Sequence, residues 1–411
     1  MNELGERIKK IRKERKLTLA QLAGDRLTKG MLSLIENGKA QPSMESLHYI
    51  AEQLGVDVAT LLHDKRIEEY RALLLELEEE FVQIKQDPDD ARIITKVLQR
   101  IEPILTELQG QSYEEVRLQE LYTQMRHYEG DYDKQAFLEI IDRYEQIHAY
   151  SRMIKGYFYL CWKEFGEHHY EQALEYLVEA ERRAEPYQFL VDDLSKLDLY
   201  YNLTVVYLAV DDEQKAEHYL QQALSIAKTK KIYYRLDGFY RLLFSQAVGK
   251  ADAEKAAYYL RKLTLLVELS EDDEMHMYVA FCELHFTTMI EKNYDEVESK
   301  LVEIKAKASG IVGMELSGLF DCEQVYAYYK LGRFADGIEA GKDIQIPSYI
   351  HHPIDLVIFY RFYAVRALCY AAIGNIEAAK RDVLYAKNGV ELFPPTNYKK
   401  FIEQAYAEII G

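Results

Sequence analysis

A repeating step of about forty residues constrains this chain more than any other feature. Residues 173, 216, 256, 297, 337 and 379 are each small or apolar, and they follow one another at intervals of 43, 40, 41, 40 and 42 residues. Each sits three positions after a turn, often of the form Gly-x-Tyr, and is followed by apolar residues four and seven further on. Tyr170 to Ala173 with Leu177 and Ala180 is one copy, and Ala216 with Leu220 and Ala223 is the next. Ala256 with Leu260 and Leu263, Val297 with Leu301 and Ile304, and Ala379 with Val383 and Ala386 repeat it. Gly337 with Ile344 is a weaker copy, and Gly130-Asp131-Tyr132 opens a degenerate one. A helical pair of this size cannot cover its own apolar face, so neighbouring pairs must stack into a solenoid with a continuous concave surface.

Composition agrees with an all-helical chain. Tyr accounts for 34 residues and Pro for only 8, and no apolar and polar alternation bounded by Asn-Gly turns is found. Cys161, Cys282, Cys322 and Cys369 show no paired spacing, as expected of reduced thiols in a cytoplasmic protein. The pairs His168-His169 and His351-His352 diverge by about 100° on a helix, which argues against a shared metal. Neither a metal nor a cofactor is expected. The apolar runs, such as Leu356 to Tyr360, are too short to cross a bilayer, and no membrane partner is expected.

The first sixty residues have a different character. Thr18 is placed to cap a helix with Leu19, Leu22 and Ala23 inward, and Thr28 to cap a second with Leu32 and Ile35 inward and Gly38 at its end. Before them, Gly5 to Lys16 points Ile8 and Ile11 inward. Its Arg7, Lys9, Lys10, Arg12, Lys13, Arg15 and Lys16 offer positive charge to phosphates. Residues 1 to 63 hold 10 basic against 8 acidic residues, whereas the remainder holds 41 against 61. An acidic body disfavours nucleic acid, which leaves the small head as the docking surface for double-stranded DNA. Its candidate DNA-contacting residues are Thr18, Gln21, Thr28, Lys29, Gly30, Ser33, Asn37 and Lys39.

Residues 4 to 63 resemble the Cro/CI-type (Xre) repressor domain. That resemblance implies five helices, a second helix of the pair that lies in the major groove, and a buried ion pair between Arg12 and Glu36. The turn from Ala23 to Thr28 is one residue shorter than the family's and is read as lacking its glycine. Leu19 stands where a DNA-contacting Gln is common. The repeated signature, in turn, is similar to the second half of a tetratricopeptide repeat, although its period exceeds the usual ~34 residues. The expected organisation is a head at 1 to 63, a helical joint at 64 to 90 and a tetratricopeptide-like array at 91 to 411.

Asn is a poor mid-helix residue, because its side chain competes for backbone hydrogen bonds. Asn202 nevertheless sits mid-helix, 14 residues before Ala216, on the face that lines the concavity in tetratricopeptide arrays. A carboxamide there can hold an extended peptide's backbone; its plainer use is a cap or a bond between helices. The same offset from the other markers gives Tyr159, Leu242, Glu283, Glu323 and Val365. Arg126, Arg241 and Arg361 offer charge to a peptide carboxylate, and Glu283 or Glu323 to an amino group. Trp162, Phe286 and Tyr326 are candidates for apolar pockets or for core. The array could also serve only to space or dimerise the heads.

Ile67, Tyr70, Leu74, Leu77, Phe81 and Ile84 recur at steps of 3, 4, 3, 4 and 3, a heptad seam. Such a seam either pairs with a second copy of the chain, giving a homodimer or higher oligomer, or packs on the first repeat. Either way it is a lever between array and head.

Head, joint and array together resemble the peptide-pheromone receptors of Gram-positive bacteria, the Rap, NprR, PlcR and PrgX group, and Leu27 to Lys39 is most similar to NprR-like members. The resemblance implies a quorum-sensing transcription regulator switched by a short signalling peptide, with Asn202 holding the peptide backbone. It also implies an alternative, a phosphatase or sequestering inhibitor of a sporulation response regulator. That activity would use a Gln to orient water, with Gln83, Gln86, Gln99 and Gln124 as candidates. No other catalytic pattern is present, so a non-enzymatic regulator is expected.

Overall fold

The computed structural model describes residues 3–62, 65–86, 91–270, 273–308, 317–393 and 395–411. Among the described residues the regular elements are all helical, as the sequence implies. Contacts divide the chain into two compact units, Met1–Asp133 and Lys134–Gly411, rather than at 63 or 90.

The first unit opens with five short helices, α1 (Glu3–Glu14), α2 (Leu19–Ala23), α3 (Lys29–Glu36), α4 (Met44–Leu54) and α5 (Val58–Leu62). Ile8, Leu22, Leu32, Ile35, Leu47, Ile50, Leu54 and Leu61 meet in one core. Each such side chain contributes about 1.5–3 kcal/mol by leaving water. Then follow α6 (Lys65–Gln86), α7 (Ala91–Ile101) and α8 (Tyr113–Tyr128). Tyr70, Leu74, Leu77 and Phe81 of α6 are buried against Ile94, Val97 and Leu98 of α7 and Leu118 and Leu121 of α8, with Ile67 packed at the edge. This corrects the dimer reading of the seam. Its apolar face is already covered within the chain, which leaves Tyr70, Leu74, Leu77 and Phe81 no surface to offer a second copy. The side chain of Ile84 lies outside the described residues. On α8, Arg117 is buried between Glu78, 2.6 Å away, and Glu120, at 2.7 Å.

The second unit begins with α9 (Lys134–Gln146) and continues as antiparallel pairs: α10 (Tyr150–Gly166) with α11 (Tyr170–Ala184), α12 (Asp193–Ala209) with α13 (Glu213–Lys230), and α14 (Leu236–Gly249) with α15 (Ala253–Ser270). Next come α16 (Asp273–Phe286) with α17 (Val297–Ala308), α18 (Ser317–Lys330) with α19 (Phe334–Ala340), and α20 (Pro353–Ala372) with α21 (Ile376–Gly389). A last helix, α22 (Asn397–Ile410), has no partner of its own. The marker positions explain the pairing. Ala173, Ala216, Ala256, Val297 and Ala379 are buried, and a Cβ added at Gly337 would stand 3.6 Å from the Tyr328 Cβ and 3.7 Å from the Val325 carbonyl oxygen of α18. Small side chains at these points let the two helices of a pair approach closely.

Two long-range contacts show how far the run of pairs curls. Tyr170 donates its hydroxyl proton to the His351 carbonyl at 2.7 Å, and His352 Nε2 donates to the Val205 carbonyl at 3.0 Å. The segment leading into α20 therefore touches α10 to α12, closing one end of an inner face. At the other end α22 lies against the later pairs: Tyr398, Ile402 and Ala405 join a core with residues of α14, α16, α18 and α20.

Candidate functional site

In the head, local capping fixes the helix pair. Thr18 Oγ1 accepts from the Gln21 amide at 3.2 Å while Gln21 Oε1 accepts from the Thr18 amide at 2.8 Å, a reciprocal cap. Thr28 Oγ1 accepts from the Met31 amide at 3.0 Å. At the far end of α3, Gly38 takes φ +65°, its amide bonds the Ile35 carbonyl, and the Lys39 amide bonds the Leu34 carbonyl at 2.8 Å. These are the two bonds of a Schellman end. The turn after α2 does have its glycine: Gly24 takes φ +51°, and the Tyr49 hydroxyl occupies the place of a Cβ. This corrects the sequence reading, in which the shortened turn hid that role.

Arg12 and Glu36 form the buried pair that the family resemblance implies, with Nε to Oε1 at 2.5 Å and a second bond at 2.8 Å. The hydrogen bond to Glu36 raises the Arg12 pKa, against the effect of burial. Arg12 is thereby unavailable to phosphates, a correction to its place in the basic stretch. Arg7 also donates to the Leu61 carbonyl, at 2.6 Å. Thr18, Gln21, Thr28, Lys29, Gly30, Asn37 and Lys39 are exposed and Ser33 half-buried. Met31 and Leu34 are 45% and 44% exposed on the same short helix, and sequence reasoning missed them. Their signal was present: each directly precedes a buried position, Met31 before Leu32 and Leu34 before Ile35.

In the array, the candidates separate into two groups. Asn202, on α12, is only 3% exposed and has no hydrogen-bond partner among the described residues. It lies one turn before Val205, whose carbonyl receives His352, so it belongs to the inner face. Trp162 is 40% exposed and sits edge-on to Phe165, which also meets His352. Tyr159 stacks on Phe137 of α9, with ring centroids 5.4 Å apart. Glu283 is exposed. Arg241 lies with its guanidinium 4.4 Å above the Tyr278 ring.

The second group is consumed by the fold. Arg361 and Glu323 are fully buried and bonded to each other, with Thr288 on the second oxygen of Glu323 and His285 on the first at 2.9 Å. Burial pushes the Glu323 carboxyl up, but Arg361 and then His285 outweigh it and hold it at about 2. Tyr326 lies beneath Arg361, 4.8 Å from the guanidinium to the ring centre, and edge-on to Phe401 of α22. Neither Arg361, Glu323 nor Tyr326 can receive a peptide, because α22 and their mutual pairing fill that part of the inner face. Arg126 is likewise engaged, by Asp131 at 2.6 Å and Glu129 at 2.9 Å.

Gln124 is 1% exposed and donates to Glu120 at 2.9 Å, which takes it out of reach of any partner's phosphate. Gln83 and Gln99 are exposed, and the Gln86 side chain lies outside the described residues. The adjacent histidines lie in the connections between helices rather than on a helix, a correction to the premise that they diverge by a helical step, and the fold brings His168 and His351 together, with ring centres 5.7 Å apart. Among the described residues, Glu164, Glu167 and His169 come within mutual reach of one ion; His169 meets Glu164 at 3.0 Å, and Lys163 holds Glu167 at 2.6 Å. No described helix is long and apolar enough to cross a membrane.

Fold and match define the class at the amino terminus: residues 5–67 match the family profile of the helix-turn-helix domain, and the head is of the Xre type. Over 65 residues the chain is 40% identical to the immunity repressor protein of Bacillus phage phi105, a match spanning 16% of this chain and 45% of that protein. Among solved structures, Bacillus thuringiensis PlcR in complex with the peptide PapR7 and DNA is 17% identical, covering 76% of this chain and all of that one at a TM-score of 0.33. ComR from S. thermophilus, in complex with DNA and its signalling peptide ComS, is 18% identical, with 67% and 97% covered and a TM-score of 0.32. A STAND protein with a tetratricopeptide repeat sensor from Pyrococcus horikoshii is 15% identical, with 100% and 63% covered and a TM-score of 0.48.

Proposed function

We propose that this chain is a transcription regulator of the peptide-responsive kind. Its head binds double-stranded DNA, and its array holds a short extended peptide whose presence changes that binding. The head part of the reading rests on the helix-turn-helix match and on the exposed row from Thr28 to Lys39. Met31 and Leu34 suit thymine methyl groups, and Lys29 and Lys39 suit phosphates. Where two half-sites are read, the second head comes from a second copy of the chain, joined through a surface other than the α6 seam.

Asn202 carries the peptide part. Its carboxamide makes no side-chain hydrogen bond among the described residues, which leaves it able to donate to and accept from a ligand's backbone amide.

The test combines two measurements on the full chain. Selection from a random duplex library should yield a recurring sequence, and synthetic peptides from reading frames next to the gene should alter its affinity. Failure of any duplex to bind would end the DNA reading. Unchanged peptide affinity in Asn202→Ala would end the assignment of the inner face.

A further inference from the structure

Among the arginines that the sequence offers to a peptide, only Arg241 keeps its charge unmatched. Arg361 is paired with Glu323, and Arg126 with Asp131 and Glu129. Arg241 has no carboxylate oxygen within ion-pair reach among the described residues; its guanidinium lies over the ring of Tyr278 and bonds the Tyr201 hydroxyl. Burial opposes its charge, yet Tyr278, Tyr201 and Asp237 raise its pKa above the ordinary arginine value, so it stays cationic. A guanidinium so placed is desolvated on one side by aromatic carbon while the residue keeps partial contact with solvent.

Helices from three other pairs face this group. Tyr201 comes from α12, one residue from Asn202; Arg241 comes from α14, Tyr278 from α16 and Asp355 from α20. Only the inner side of a curled array can bring four successive or distant pairs to one space. Arg241 lies 15 residues before its marker Ala256, and Tyr201 holds the same register. Both retain solvent exposure, whereas Cys282, Cys322 and Ala364, at that register in later pairs, are buried. The charge therefore stands where this register still meets solvent. Asp355 faces the same space but stops short of an ion pair, and burial raises its carboxyl toward the neutral form against the pull of His352 and Arg241. It competes weakly for the guanidinium.

We infer that Arg241 receives a carboxylate of the bound peptide, either its free C-terminus or an acidic side chain, while Asn202 holds the neighbouring backbone. The inference rests on the peptide-binding reading above and specifies the chemistry its guest must carry. An arginine fork gives two parallel charge-assisted bonds to a carboxylate, with the Tyr278 ring behind it excluding water.

The experiment uses the full chain and three synthetic heptapeptide pools, read by native mass spectrometry. One pool is amidated and free of Asp and Glu; the second has the same sequences with free C-terminal carboxylates; the third is amidated with one Asp. Wild type should retain members of the second or third pool about tenfold to hundredfold better than the first. Which of the two is preferred tells the C-terminus from the side chain. Arg241→Gln should erase the preference, Arg241→Lys should keep part of it, and the exposed Arg261→Gln should leave it intact. Equal retention of all three pools by wild type would overturn the Arg241 assignment while leaving the groove reading in place. No retention of any pool would overturn both. The comparison among pools on wild type stands even if Arg241→Gln fails to fold.

Discussion

The Tyr398 hydroxyl lies 2.7 Å from Nε2 of His285, so the last helix is pinned to one 113 positions earlier. His285 in turn meets Glu323 through Nδ1, so α22 is tied to a buried charge cluster that links α16, α18 and α20. Tyr398→Phe should remove one bond and leave an imidazole nitrogen unsatisfied, costing about 1–3 kcal/mol. Thermal denaturation of the full chain reads the loss. A melting temperature equal to that of wild type would mean that α22 is held by its apolar face alone.

Glu323 makes the same cluster sensitive to acid. Its carboxyl is held at about 2 in the folded chain, below the ~4.3 of an unfolded Glu. A depressed carboxylate contributes its full stability above the unfolded value and loses it as pH falls toward the folded one. Wild type should therefore weaken between about pH 4 and pH 2 more steeply than Glu323→Gln. At neutral pH the variant should be the less stable of the two by about 3–5 kcal/mol, since Arg361 is left buried without its counterion. Parallel acid profiles for the two proteins would show that Glu323 is not charged in the fold.

How much of this was readable beforehand depends on whether the governing contact is local. Thr18, Thr28 and Gly38 were legible because a cap is decided by three or four consecutive residues. The markers from Ala173 to Ala379 were legible because close helix crossings exclude large side chains at a fixed interval. What escaped lies across the stack. Glu323 and Arg361 fall on inward faces just as a ligand site would, and periodicity gives a residue's face but not the partner opposite. The contact of His352 with Val205 depends on the small rotation from pair to pair, summed over the array, which no local pattern carries. The seam of α6 was ambiguous because, over so few turns, a helix that packs in its own chain and one that packs on a copy bear the same spacing.

That ambiguity has a direct test. Leu74 and Phe81 are 6% and 4% exposed in the core shared with α7 and α8. Leu74→Asp with Phe81→Asp should lower helicity and open the 65–128 region to protease, since two charges would be buried without partners. If instead circular dichroism is unchanged and sedimentation shows the mass falling by half, the seam joins two copies after all.

Gly24 should tolerate no side chain. Its positive φ disfavours any L-residue, and a Cβ would lie 1.9 Å from the Tyr49 hydroxyl. Gly24→Ala should cost about 1–3 kcal/mol and, by shifting α2 against α3, weaken duplex binding. Tyr49→Phe in the same chain should recover part of the stability by removing the oxygen that clashes. Equal melting of Gly24→Ala and wild type would mean that the turn is free to rearrange.

The exposed row on α3 can be divided by salt dependence. Among the described residues Lys29 makes no ion pair or side-chain hydrogen bond that competes with a phosphate contact, whereas Asn37 already donates to the Ser33 carbonyl at 2.7 Å. Against the selected duplex, Lys29→Ala should weaken binding for all sequences alike and flatten the slope of log affinity against log salt by about 0.9. Ser33→Ala, which removes a group able to reach a base edge, should leave that slope unchanged. Its loss should fall on the selected sequence, by about 1–3 kcal/mol, with little effect on random duplex. Measured by anisotropy over a salt series, the reverse assignment would place Ser33 on the backbone and Lys29 in the groove, and an unchanged affinity in both would move the DNA-contacting surface off α3.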